Sequence, residues 1–68
     1  MIIKRIQKTK KEFDNGWLQN SLLIAEIHQE KNEVSVILTE TSPMGTYIRK
    51  RVCKDATEAF FIAEEHTA

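Results

Sequence analysis

Few side chains in this sequence have the types and spacing that catalysis requires. His28 stands beside Glu26 and Gln29, and His66 follows Glu64-Glu65 close to the C-terminal end. A general acid or base must be held within hydrogen-bond reach of the group it serves, and nothing in the spacing fixes either imidazole against a nucleophile. Cys53 follows Arg49, Lys50 and Arg51, whose charge would lower a thiol pKa, but a strand cysteine is more often buried and inert. A single cysteine excludes an intramolecular disulfide, and no second Cys or close His pair offers a zinc site. Glu64, Glu65 and His66 are adjacent donors of the kind usually solvated at a helix end. Met44-Gly45 lacks the glycine spacing and Lys-Ser or Lys-Thr pair of a phosphate loop. The expectation is a non-enzymatic protein with no catalytic residue, metal or cofactor.

Binding chemistry is better represented. In an extended chain Tyr47, Arg49, Arg51 and Cys53 project to one side, while Ile48, Lys50 and Val52 project to the other. If Ile48 and Val52 face a covering helix, Tyr47, Arg49 and Arg51 stand together on an open face. Guanidinium groups grip phosphates and an aromatic ring stacks on a base or sugar. A second block, Lys4, Arg5, Lys8, Lys10 and Lys11, occurs with no acid among residues 1–11 and adds candidate phosphate contacts. The competing reading of the later strand is a solvated face on which its cations pair across strands with acids such as Glu33 or Glu40. The 10 Lys and Arg are balanced by 10 Asp and Glu, so the formal charge is zero. The bases nonetheless cluster in two blocks, with acids filling the middle and the tail, and the molecule is dipolar.

These residues must be positioned by one small domain, since 68 residues leave room for no more. Asp14-Asn15-Gly16 between Phe13 and Trp17 is a strong hairpin signal. Beyond it, Leu23, Ala25 and Ile27 alternate with Leu22, Ile24, Glu26 and His28. After a polar turn over residues 29–32, Val34, Val36 and Leu38 alternate with Ser35, Ile37 and Thr39. Thr41-Ser42-Pro43-Met44-Gly45 reads as a loop, and residues 46–53 as another strand. Residues 1–13 fit either a strand or a helix; the Asn-Gly turn, which asks for extended partners on both sides, favours a strand. Asp55, with Glu58 three residues on, predicts a helix start with a capping box, running to about Glu65. Ala56, Ala59, Phe60, Ile62 and Ala63 gather on one side of that helix, while Phe61 falls among Glu58, Glu64 and Glu65. The expected fold class is α+β: an antiparallel meander of three or four strands with one C-terminal helix packed on one face. In an up-and-down order the two basic blocks lie at opposite sheet edges. No apolar run approaches a membrane span and the N-terminal residues lack the order of a signal peptide, so a cytoplasmic protein without a membrane partner is expected.

Trp17 at a strand start, the turn at 29–32, Gly45-Thr46-Tyr47-Ile48-Arg49-Lys50-Arg51 on a later strand and Lys54-Asp55-Ala56-Thr57-Glu58-Ala59 at the helix entry carry a resemblance. Over about 45–50 residues the C-terminal part resembles the arm-binding modules of tyrosine recombinases from phages and conjugative elements. The resemblance implies a three-stranded sheet presented to DNA, a phage or mobile-element source, and DNA contacts carried onto Tyr47, Arg49 and Arg51. Two further partner classes fit the residues. One is a host protein, blocked through an acidic helix face of Glu58, Glu64 and Glu65 beside Phe61, or through a sheet edge. The other is a second copy of the chain, joined through Phe61 and an unpaired strand edge.

Overall fold

The computed structural model describes residues 1–14 and 16–68, Asp14 by its backbone alone. Four antiparallel strands, β1 (Ile2–Asp14), β2 (Trp17–Glu30), β3 (Glu33–Ser42) and β4 (Gly45–Cys53), form one open sheet in the order β1-β2-β3-β4. One helix, α1 (Ala56–Thr67), follows and packs on one face. The expected α+β meander is therefore the fold, with four strands, and residues 1–13 are strand rather than helix. The expected Asn-Gly turn falls partly outside the described residues: Asn15 is not among them. Asp14 does pair with Trp17 across it, and Gly16 takes a φ of +82°, a conformation glycine adopts without steric cost.

Register decides which side chains share a face, because opposed residues in an antiparallel pair point the same way. Leu23, Ala25 and Ile27 of β2 lie opposite Lys8, Ile6 and Lys4 of β1 and opposite Glu40, Leu38 and Val36 of β3. This is the helix side. Ala25, Ile27, Val36, Leu38 and Cys53 meet Ala59 and Ala63 of α1 there, with Ile6, Val34, Phe60 and Ile62 at the margin. Burial of a side chain the size of Ile27 or Val36 contributes about 1.5–3 kcal/mol. Alanines spaced four apart on α1, continued by Thr67, let the helix approach the sheet closely. A register shift between Ile2 and Lys4 separates the two ends of the first strand, so that Ile2 lies opposite His28 while Ile6 lies opposite Ala25. That irregularity takes Ile2 off the helix side, where Ile6 packs at the core margin beside Lys4, Lys8 and Lys10.

The helix begins as its sequence requires. Asp55 accepts a hydrogen bond at Oδ1 from the Glu58 backbone N–H at 2.9 Å, satisfying one of the donors a helix start leaves unpaired. It runs to Thr67, past the expected end at about Glu65; the Thr67 side chain is buried there, and its hydroxyl donates to the Ala63 carbonyl at 3.0 Å. The axis lies mainly over β2 and β3, leaving both edge strands largely uncovered. The long hairpin β1–β2 outreaches the rest of the sheet: β2 pairs with β3 only from Leu22 onward, so residues 17–21 are joined to β1 alone.

Candidate functional site

The last strand carries the parity expected from its sequence but presents it to the opposite side. Tyr47, Arg49 and Arg51 lie opposite Glu40, Leu38 and Val36, on the helix side of the sheet. Ile48, Lys50 and Val52 point to the open side, with Ile48 67% and Val52 64% exposed. The expectation that Ile48 and Val52 face the helix is thus corrected. The physical reason lies at the end of the strand. Only Lys54 and Asp55 separate Cys53 from α1, and Cys53 is the one β4 residue buried against the helix. Once Cys53 points to the helix side, alternation places Arg51, Arg49 and Tyr47 on that side too. Because α1 sits over β2 and β3, these three stand beside the helix rather than beneath it.

A groove results between α1 and β4. One part, of about 390 Å³, is lined by Leu38, Glu40, Tyr47, Ile48, Arg49 and His66. A second, of about 230 Å³, adds Arg51, Ile62 and Glu65 and shares Leu38, Arg49 and His66 with the first. Leu38 forms an apolar floor, one wall is cationic and aromatic, and the other is the last turn of the helix. His66 Nε2 lies 3.0 Å from the Thr39 carbonyl oxygen. A carbonyl only accepts, so Nε2 carries the proton in this bond and a neutral ring keeps Nδ1 as an acceptor. His66 is the lining residue that sequence reasoning missed. Its spacing of four from Ile62, on the flank of the buried helical stripe, is the signal that pointed to it.

The two basic blocks differ in what holds their charge. Among the described residues, neither Arg49 nor Arg51 forms an ion pair with a carboxylate; Glu40 and Glu65 line the same groove without closing on them. On β1, Lys10 Nζ is 3.0 Å from Glu12 Oε1, and the hydrogen bond to that carboxylate raises the Lys10 pKa above its ordinary value. Arg5 Nε is 3.8 Å from Glu26 Oε2, and Lys4 Nζ stands 5.9 Å from the Phe60 ring centroid. Lys8 and Lys11 form no ion pair among the described residues. Lys4, Lys8 and Lys10 face the helix side, whereas Arg5 and Lys11 face the open side. The sheet order puts the two blocks on opposite edges, with α1 between them on the helix side. Tyr47, Arg49 and Arg51 are brought together; the β1 cations are not joined to them.

Glu58, Phe61, Glu64 and Glu65 occupy the solvent side of α1, with Phe61 62% exposed. Cys53 is buried, and loss of solvent raises its thiol pKa, the direction opposite to activation; Glu58 adds to this and Arg51 only partly offsets it. Among the described residues no three His, Cys, Asp or Glu side chains are grouped to hold a metal ion, and no helix is long and apolar enough to cross a membrane. The chain matches no protein-family model, no curated protein and no solved structure.

Proposed function

We propose that the protein is a small cytoplasmic, non-enzymatic accessory factor of a phage or mobile element that binds nucleic acid, DNA in the first instance, through Tyr47, Arg49 and Arg51. The observation that carries this reading is the pair of guanidinium groups on one side of an edge strand, without a carboxylate partner among the described residues and next to an exposed tyrosine. Phosphate oxygens supply the charge that the fold leaves unmatched, through bidentate, charge-assisted hydrogen bonds. Tyr47, 64% exposed, offers a ring for stacking.

Fluorescence anisotropy of labelled DNA at low and moderate salt tests the proposal. Affinity falls steeply with salt, because each neutralised phosphate releases counterions. Replacing Arg49 and Arg51 together by alanine lowers the slope of log affinity against log salt by about two. Binding that is indifferent to that double substitution refutes the assignment.

A second reading is favoured by the exposure of Phe61 amid Glu58, Glu64 and Glu65. An aromatic ring ringed by acids suits a basic protein partner, and Phe61→Ala abolishes capture of that partner while leaving DNA binding intact.

A further inference from the structure

The β1–β2 hairpin carries a feature that neither the core nor the groove uses. Past Leu22 it continues as a two-stranded ribbon, residues 10–14 against 17–21, with no third strand beside it. The molecule is 47 Å long and 19 Å wide, close to the ~46 Å that the 14 residues of β2 span at about 3.3 Å each. A free two-stranded ribbon is marginally stable in water, yet this one ends in bulky apolar side chains that bury little. Phe13 is 77% and Trp17 75% exposed.

Register distributes amides and aromatic rings to both sides of the ribbon. Gln19 and Trp17 lie on the helix side, where Lys10 is paired with Glu12 and Lys8 stands just below the ribbon; Lys11, Asn20 and Phe13 lie on the open side. Each side thus holds a side-chain amide and an aromatic ring, with a cation that forms no ion pair among the described residues: Lys11 within the ribbon on the open side and Lys8 at its base on the helix side. A flat protein surface meets one side of a ribbon. A nucleic-acid duplex groove meets both, since two phosphate-lined walls enclose whatever enters. The major groove of a duplex, about 12 Å wide, admits a two-stranded ribbon, and amides read the base edges exposed there.

We infer that the β1–β2 ribbon is a duplex-reading finger: Lys8 and Lys11 meet phosphates on opposite walls, Gln19 and Asn20 meet base edges, and Trp17 and Phe13 press on the bases. This rests on the nucleic-acid reading above and specifies its ligand as a duplex. It also assigns a use to the β1 block, which the fold separates from Arg49 and Arg51.

Trp17 is the sole tryptophan, so its fluorescence reports on the ribbon tip directly. The full chain is titrated at low salt with a short mixed-sequence DNA duplex, with the same sequence as a single strand, and with vesicles of phosphatidylserine and phosphatidylcholine. The duplex is expected to quench Trp17 emission, and Trp17→Ala to weaken duplex binding, read by anisotropy of the labelled DNA, about tenfold. Trp17→Phe keeps most of the affinity, which separates loss of a ring from loss of fold. Replacing Lys8 and Lys11 by glutamine lowers the salt slope by about two. Duplex binding with unchanged Trp17 emission and no effect of Trp17→Ala overturns the finger and leaves the β4 site standing. Equal or stronger quenching by the single strand, or by vesicles, also overturns it. Failure to bind any nucleic acid removes both. With Arg49 and Arg51 replaced by alanine, quenching persists at higher DNA concentration if the finger is right and vanishes at every concentration if it is wrong.

Discussion

The two edge strands of this sheet begin from similar sequence material and end with different surfaces. Both β1 and β4 carry cations on both sides of an extended chain. On β1, three of the five cations are occupied among the described residues: Lys10 by Glu12, Arg5 by Glu26, and Lys4 by the Phe60 ring. On β4 the two arginines of the helix side have acids nearby but, among the described residues, none in ion-pair contact, and they border an open groove. A count of charges along a chain therefore says little about which charges are available. What matters is whether the fold, through the same strand or a neighbouring element, places a carboxylate or a ring beside them. The solvated-face reading of the last strand, in which its cations pair with acids such as Glu33 or Glu40, finds no such ion pair at Arg49 or Arg51 among the described residues, whereas Arg5 and Glu26 do approach each other across β1 and β2.

Substitutions at the two edges measure that contrast. The largest effect is expected at β4, where Arg49→Ala with Arg51→Ala costs at least tenfold in DNA affinity, at about 1.5–3 kcal/mol per charged hydrogen-bonding group lost. Lys4→Gln with Lys10→Gln changes it by no more than a few fold. Equal losses from the two pairs, measured by the same anisotropy titration, break the contrast.

The turn from β4 into the helix is the next lever, since Cys53 and Asp55 fix which side the arginines take. Asp55→Ala leaves the Glu58 N–H without its acceptor and lowers stability by about 1 kcal/mol, read by urea denaturation. The Cys53 thiol, buried and raised in pKa, reacts with a thiol reagent in the native protein far more slowly than in the urea-unfolded chain. Native labelling as fast as unfolded labelling contradicts the placement of Cys53 under α1.

The smallest effects concern pH at the β1 edge. The N-terminal ammonium, 2.9 Å from Glu30 Oε1, lowers the Glu30 pKa below its ordinary 4.5, first by hydrogen bonding and then by charge. A depressed carboxylate contributes stability above its unfolded pKa and loses it as pH falls through the folded value. Lys10 runs the other way: raised above 10.5 by Glu12, its contribution is complete below that pH and is lost as pH rises through the folded value. Both groups are solvent-exposed, so NMR titration of the two side chains, rather than bulk unfolding, detects the shifts. A Glu30 carboxyl titrating at or above its ordinary value removes the first contact, and Lys10 titrating at or below 10.5 removes the second.

Local physics in the chain determined a great deal of this protein. Period-two alternation at Leu23, Ala25 and Ile27 and at Val34, Val36 and Leu38, the Asp55 cap, and the gathering of Ala59 and Ala63 on one helical stripe all depend on near neighbours, and all stand in the fold as the sequence indicates. The β4 alternation was also legible: Tyr47, Arg49 and Arg51 share a side. Which side could not be read, because parity is symmetric until something breaks it. Contact of Cys53 with α1 breaks it, and that contact depends on where the helix lies across the sheet. The same holds for His66, which enters the groove only because α1 runs back over β3 to bring its last turn near Thr39 and Arg49. Side-chain types and their order along each element are properties of the chain; the groove, the pairing of each charge and the exposure of the hairpin end belong to elements meeting across space.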